Sequence, residues 1–252
     1  MNSAFDRIAI ILAAGQGKRM KSDIPKVLHK VSGRYIVDYV IDEAREAGLD
    51  RQILVIGHKA EMVEEALAGR KVEFAHQARQ LGTGHAIMMA APLLRDFHGD
   101  LLVLCGDMPL VKAHTIRRLI AERHKLGAAA VVLTAVLDDP GTYGRIVRDT
   151  AGLIKAIVEY RDADEKIRGI REVNTGAYCF DWDQLRPALD QLSDNNDQRE
   201  YYLTDTVSIF VREGRSVGAI IAGDPNEGHG INSLKDLEMI EELIKHGTAS
   251  GV

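Results

Sequence analysis

Apolar residues in the first half of the chain fall into short, nearly unbroken runs, separated by stretches in which they recur every three or four positions. Ile8–Ala13, Gln52–Ile56, Val72–Ala75, Leu101–Cys105 and Ala128–Ala135 are runs of the first kind. Runs of ~4–8 residues with little polar alternation are the mark of strands buried on both faces. Tyr35–Ala47, Lys59–Ala68, His85–Leu94 and Thr115–Lys125 carry the helical spacing between them. This alternation predicts βαβ units around a doubly wound, largely parallel sheet, an α/β fold of Rossmann-like type.

The texture changes after Asp138-Asp139-Pro140-Gly141. Gly144–Arg148 and Leu153–Val158 alternate like a hairpin around Asp149-Thr150-Ala151-Gly152, and Asn174–Phe180 is a further strand, so a smaller β-rich region joins the α/β half. Asp183–Leu192 and Thr204–Arg212 have helical spacing, Ser216–Ile221 is a strand, and Leu234–Lys245 is a last amphipathic helix with Asn232 or Ser233 as its cap. The tail Gly247–Gly251 has no pattern. No repeat or linker divides the chain. We expect one domain over residues 1–252, with an α/β half to about 138, a β-rich half over about 139–232 and a C-terminal helix and tail over 233–252.

With 46% hydrophobic and 27% charged residues, the chain has material for a core and none of the bias that marks disorder. Its net charge of -5 removes the overall basic excess expected of a nucleic-acid binder, and no apolar run approaches a membrane span. Cys105 and Cys179 form no CxxC pair, which fits a reduced, cytoplasmic setting. Ile8–Ala14 has the length of a signal-peptide core, but it lacks a basic leader and is expected to be a strand.

Candidate chemistry concentrates after the first strand. Leu12-Ala13-Ala14-Gly15-Gln16-Gly17-Lys18-Arg19-Met20 brings small residues and two glycines to a strand end, where backbone N–H groups can approach an anion. Met20 stands where a dinucleotide fingerprint needs its third Gly or Ala, and Arg19 where a P-loop needs Ser or Thr. Lys18, Arg19, Lys21 and Lys26 give this loop a cation density at odds with the net negative charge. Arg19 suits bidentate contact with phosphate and Lys26 a point charge, the alternative being a surface turn with solvated charges.

A second run, Leu101–Cys105, ends in Gly106-Asp107-Met108-Pro109, which puts a carboxylate at the same expected sheet edge. Asp107 there either holds Mg²⁺ beside substrate phosphates or caps a turn. Gln77 and Gln80 flank Gly82-Thr83-Gly84; these amides can read a base edge, or the stretch is an ordinary loop with Thr83 as a helix cap. Tyr143-Gly144-Arg145, Glu159 and Asn174-Thr175-Gly176 offer polar groups or bare backbone to a sugar. The nine histidines form no zinc spacing and no GxSxG is present, so neither zinc chemistry nor serine hydrolysis is indicated.

Taken together, the loop with Pro25-Lys26-Val27-Leu28-His29, Gln80–His85, Gly106–Leu110, Tyr143–Ile146, Ile157–Glu159, Glu172–Gly176, Glu200–Asp205 and Gly230-Ile231-Asn232 resemble the successive motifs of sugar-1-phosphate nucleotidyltransferases. The resemblance is strongest to the N-acetylglucosamine-1-phosphate uridylyltransferase domains of bacterial bifunctional UDP-N-acetylglucosamine-synthesising proteins, and it covers nearly the whole chain. It implies the nucleotide-diphospho-sugar transferase fold, a doubly wound mixed sheet whose half to about residue 138 binds the nucleotide and whose smaller β-rich lobe over about 139–232 binds the sugar. It also implies Mg²⁺-dependent transfer of UMP from UTP to N-acetylglucosamine-1-phosphate. On matching positions it implies that Leu12, Ala13, Ala14, Gly15, Gly17, Gln77, Gln80, Gly82 and Thr83 hold the nucleotide and that Arg19 and Lys26 hold the reacting phosphates. Asp107 and Asn232 would ligate Mg²⁺, and Gly106, Gly144, Glu159, Asn174, Tyr202 and Thr204 would contact the sugar.

Two positions depart from that pattern: the family often has Tyr at the place of Cys105, and a small residue at that of Lys18. The left-handed β-helix of the bifunctional members has no expected counterpart in these residues, although Ala249–Val252 resembles the junction leading into it. A monomer or weak dimer is expected without it. A nucleotidyltransferase using glucose-1-phosphate, a polyol phosphate or CTP, and a noncatalytic nucleotide-sugar sensor, are the alternatives.

Overall fold

The computed structural model describes residues 7–247, with 248–252, most of the pattern-free tail, outside that range. In chain order the strands and helices are β1 (Arg7–Leu12), β2 (Lys30–Val31), β3 (Arg34–Tyr35), α1 (Ile36–Glu46), β4 (Arg51–Ile56), α2 (Ala60–Ala66), β5 (Glu73–His76), α3 (Thr83–Ala90), β6 (Asp100–Cys105) and α4 (Ala113–Leu126). Then follow β7 (Ala130–Val136), β8 (Arg145–Arg148), β9 (Ile154–Val158), α5 (Glu165–Arg168), β10 (Glu172–Asp181), α6 (Trp182–Leu189), α7 (Asp205–Arg212), β11 (Val217–Ile221) and α8 (Leu234–Gly247).

The central sheet has the order β11-β7-β10-β6-β1-β4-β5, with the β8–β9 hairpin attached to β10. Along that seven-strand order all neighbouring pairs are parallel except those of β10, which runs antiparallel to both β6 and β7. The sheet is therefore mixed, as the fold class implies: one long strand of the β-rich half lies among the parallel strands, and the two halves share hydrogen bonds.

Both faces are covered, as the unbroken apolar runs predict. Ile8 and Ile10 of β1 pack with Ala86, Ile87, Leu185, Val207 and Phe210 of α3, α6 and α7. Ala9 and Ile11 face the other way, onto Val40, Val63, Ile116 and Leu119 of α1, α2 and α4. Each large side chain fully buried in this way contributes about 1.5–3 kcal/mol over an exposed one. A third cluster joins Met20, Val31, Ile36, Leu110, Ile231 and Ile240, so α8 and the small β2–β3 hairpin pin the loop after β1.

Several expected boundaries move for identifiable reasons. The helix expected over His85–Leu94 starts at Thr83 and changes to a tighter turn over Ala91–Leu94, where Pro92 removes a helical donor. The helix expected from Asp183 starts at Trp182 because the Asp181 carboxylate accepts from Gln184 N–H at 3.2 Å. Ser233 is the cap of α8: its hydroxyl accepts from Asp236 N–H at 3.2 Å, and Asp236 accepts in return from Ser233 N–H at 2.8 Å. The β2–β3 hairpin and the single turn α5 are too short to leave a periodic signal.

Candidate active site

Because β1, β4, β5 and β6 are parallel, the loops after Leu12, Ile56, His76 and Cys105 meet at one edge, where open α/β sheets take ligands. The reversed β10 brings its beginning to the same edge. Its register against β7 shifts between Asn174 and Tyr178, and this bulge re-aims Asn174-Thr175-Gly176.

The loop after β1 is held at both ends. Ala13 N–H donates to Val55 O at 2.8 Å, and buried Met20 anchors the far side beside Ile231. Gly17 has φ +61°, and a Cβ on it would lie 2.9 Å from Lys26 Cβ, so glycine is what lets the loop close on the Lys26 stem. The loop borders a cleft of about 280 Å³ lined by Leu12, Ala13, Ala14, Gly15, Gln77, Gln80, Gly82 and Thr83, with Lys26, Cys105, Asp107 and Glu200. An adjoining recess is lined by Gly15, Gln16, Gly17, Arg19, Lys26, Gln80, Glu200 and Asn232. Every position implied for the nucleotide therefore borders one of the two. Lys21 of the cationic loop is exposed and is not among the lining residues.

The amide corner is built from loops remote in sequence. Gln77 is buried, and its amide donates to Gly82 O at 2.9 Å and meets His85 Nδ1 at 3.0 Å. Burial and Arg79 lower the pKa of His85, so the neutral ring can accept at Nδ1. Gln80 donates to Gln77 O at 3.0 Å. Thr83 is no cap: it lies inside the first turn of α3, and its hydroxyl accepts from Leu203 N–H at 3.0 Å. Gly84 N–H donates to Tyr201 O at 2.8 Å, so residues 200–204 are joined to this corner.

Asp107 does not cap a turn either. Its Oδ2 forms an ion pair with Lys26 Nζ, and Lys26 also donates to Asn232 Oδ1 at 3.2 Å. Both groups are largely shielded, with side chains 15% and 18% exposed for Lys26 and Asp107, so the pair is not simply a solvated surface contact. Two oxygens from distant segments thus converge on one positive charge. One carboxylate and one amide oxygen beside a phosphate-sized recess suit Mg²⁺, which takes one or two carboxylates and completes its shell with water and phosphate. No cluster of three or more His, Cys, Asp or Glu side chains fit for a metal exists among the described residues, which does not suit an all-protein metal cage.

The positions implied for a sugar meet in a second cluster. Glu159 Oε1 accepts from the Thr204 hydroxyl at 3.1 Å, a Cβ on Gly144 would lie 3.4 Å from Glu159 Oε2, and Gly144 O accepts from Asn174 N–H at 2.9 Å. Burial, with Asp205, Asp162 and Glu200 nearby, raises the pKa of Glu159 from its ordinary value. Glu159 and Tyr202 share a small recess with Asp162, Asn196 and Asp205. Burial pushes the Tyr202 phenol up to about 12. Gly106 sits apart from this cluster: it is buried under the loop, its N–H donating to Leu12 O at 2.9 Å. Cys105 reaches β10, where its thiol donates to Gly176 O at 3.5 Å; burial raises the thiol to about 12, so it is protonated and non-nucleophilic at neutral pH.

Arg145, next to Gly144, bonds the chain's own backbone and lines none of these recesses. It is 2% exposed and donates to Gly141 O at 2.9 Å and Arg168 O at 3.2 Å, clamping the turn that presents Tyr143 and Gly144. Sequence reasoning missed Gly57, and it placed Gln16 and Glu200 within motifs without giving either a role. A Cβ on Gly57 would lie 2.6 Å from Gln80 Nε2 and 2.8 Å from Gln77 O, and its place at the end of β4 was the signal that could have found it. Glu200 borders both recesses through a loop that only tertiary contacts bring near.

Comparison with known proteins shows what the chain is similar to. The chain is 47% identical over 239 residues to the "Bifunctional protein GlmU" of Geobacillus thermodenitrificans, an alignment covering 95% of this chain and 52% of that protein. It is 45% identical to the proteins of the same name from Clostridium beijerinckii, over 240 residues, and Bacillus subtilis, over 239, again with 95% of this chain and 52% of the relative covered. The chain therefore spans about half the length of these curated relatives. Residues 9–200 match the family model of the MobA-like NTP transferase domain, and with the glycine loop, Lys26 and Asp107 inside that match, the chain belongs to the MobA-like NTP transferase family.

Proposed function

We propose that the protein transfers UMP from UTP to N-acetylglucosamine-1-phosphate with Mg²⁺, giving UDP-N-acetylglucosamine and pyrophosphate, and that it acts in the cytoplasm. The observation that carries this reading is the continuity of three groups of residues around one sheet edge. Residues 201–204 tie the amide corner to the Glu159–Thr204–Asn174 cluster by hydrogen bonds, and Glu200 lines the same recesses as Lys26, Asp107 and Asn232. The free thiols Cys105 and Cys179 are consistent with a reducing compartment.

In this reading a phosphate oxygen of the sugar phosphate attacks the α-phosphorus in line, and the bond to the bridging oxygen breaks as pyrophosphate leaves with its electron pair. The nucleophile is already ionised, so no general base is needed; the barrier is repulsion between two anions. Lys26 and Arg19 hold phosphate oxygens, and the loop of residues 13–17 presents backbone to the triphosphate. Asp107 and Asn232 would hold Mg²⁺, which when bound neutralises developing phosphate charge. Gln77 and Gln80 orient the base, while Glu159, Asn174, Gly144 and Thr204 orient the sugar, with Tyr202 beside them and Gly106 keeping the floor close. The chain itself we take as one domain, with the halves meeting at β10, and as a monomer or weak dimer.

The test is pyrophosphate release with Mg²⁺, comparing UTP with CTP, GTP and dTTP, and then N-acetylglucosamine-1-phosphate with glucose-1-phosphate. Rapid release with UTP and the N-acetylated sugar alone is expected. Release with another pair keeps the transferase and replaces the substrates, whereas nucleotide-sugar binding with no release from any pair replaces catalysis with sensing.

A further inference from the structure

Asn232 reaches Asp107 on a strap, residues 225–232, which crosses the sheet edge and is tied down by other parts of the chain. Ile231 N–H donates to Asp107 O at 2.9 Å, which fixes the strap to the residue it faces. Lower down, Lys112 N–H at the start of α4 donates to Glu227 Oε2 at 3.3 Å, and Glu227 is only 3% exposed. From the opposite side the Tyr143 hydroxyl donates to Gly228 O at 3.3 Å and accepts from Gly230 N–H at 3.4 Å. The strap lies close enough to Asp107 that a Cβ on Gly230 would sit 3.4 Å from Asp107 Oδ2.

Mg²⁺ demands near-octahedral oxygens at about 2.0–2.1 Å, so a shift of a few tenths of an ångström in one ligand weakens binding. Glu227 and Tyr143 line neither recess and bond neither ligand oxygen, yet both hold the strap by hydrogen bonds. Tyr143 is also the neighbour of Gly144, whose carbonyl accepts from Asn174 N–H and on which a Cβ would lie 3.4 Å from Glu159 Oε2. Any settling of the sugar cluster is therefore passed through one peptide unit to the strap.

We propose that Glu227 and Tyr143 are positioning residues for the Asp107–Asn232 metal site, Glu227 setting the strap against α4 and Tyr143 linking it to the sugar cluster. This rests on Asp107 and Asn232 being the metal ligands. Residues behind metal ligands typically change metal affinity ~10–100-fold when removed. Linkage through Tyr143 is reciprocal: the sugar phosphate tightens the metal by the factor with which the metal tightens the sugar phosphate.

The experiment is Mn²⁺ affinity, read from the electron paramagnetic resonance of free Mn²⁺, on the whole chain with the unreactive α,β-methylene analogue of UTP. Each protein is measured with and without N-acetylglucosamine-1-phosphate. Glu227→Ala is expected to weaken Mn²⁺ about tenfold. Glu227→Gln, whose amide oxygen still accepts from Lys112 N–H, should stay close to native. Tyr143→Phe should lose the tightening that the sugar phosphate gives the native protein. A folded Glu227→Ala protein with native Mn²⁺ affinity overturns the proposal, as does a Tyr143→Phe protein that keeps the tightening, or a native protein that shows none. Should Glu227→Ala not fold, Tyr143→Phe decides, since it deletes a single oxygen. Asp107→Asn binding Mn²⁺ as tightly as native would instead overturn the ligand assignment beneath the proposal.

Discussion

Lys26 bonds the two oxygens, Asp107 Oδ2 and Asn232 Oδ1, that a divalent cation would take. An ammonium and a metal ion compete for those oxygens, so Lys26→Met is expected to bind Mn²⁺ more tightly than native while losing turnover. Calorimetry of Mn²⁺ binding beside a pyrophosphate assay checks both, and weaker binding would count against a shared site. Arg19 is exposed at the rim of the phosphate recess, free to meet an anion. Its removal in Arg19→Ala should cut kcat by ~10²–10³, the usual effect of losing one charge-stabilising donor. Glu159 behaves differently. Its native pKa is raised, chiefly by burial, so its contribution to stability is fullest below the ordinary carboxylate value of ~4.3 and is lost as pH rises through the raised native value. Glu159→Gln, neutral at every pH, should therefore melt above the native protein near neutral pH, with the gap closing as the pH falls towards ~4 in thermal melts across that range.

At the scale of elements, β10 does most to shape the site. Its bulge aims Asn174, whose Oδ1 accepts from Gly176 N–H at 3.0 Å, and Gly176 sits at φ +88° against Cys105. An added Cβ there would stand 2.7 Å from Cys105 Sγ, and the positive φ strains any side chain. Gly176→Ala should raise KM for the sugar phosphate more than KM for UTP. Adding Cys105→Ala should recover part of the loss, because it removes the collision and leaves the strain; steady-state kinetics on the two variants separates these causes. The loops after β1 and β6 were legible in the sequence because apolar runs ending in Gly-x-Gly and Gly-Asp are local signals. The β2–β3 hairpin was not, since two-residue strands carry no period.

The whole molecule is held by one sheet with two apolar faces. Because β10 hydrogen-bonds to β6 on one side and β7 on the other, neither half can leave without breaking the other's ladder. A single cooperative unfolding transition is expected, with the fluorescence of buried Trp182 and the far-ultraviolet circular dichroism changing together. Two separated transitions would divide the chain at the boundary near residue 138. What the order of residues settles alone is the α/β alternation, the edge at which the loops gather, and the identity of Lys26, Asp107, Gln77 and Glu159 as groups with chemistry to offer, since periodicity, glycine and charge are local properties. What needed the folded chain is the reversal of β10, the meeting of Lys26 with Asn232 across the chain, the use of Arg145 on the chain's own backbone, the packing of Gly57 against the amide corner, and the place of Glu200 between the two recesses. Those depend on which strands pair and which loops touch, and pairing between distant segments is decided by packing over the whole sheet rather than by any short stretch of sequence.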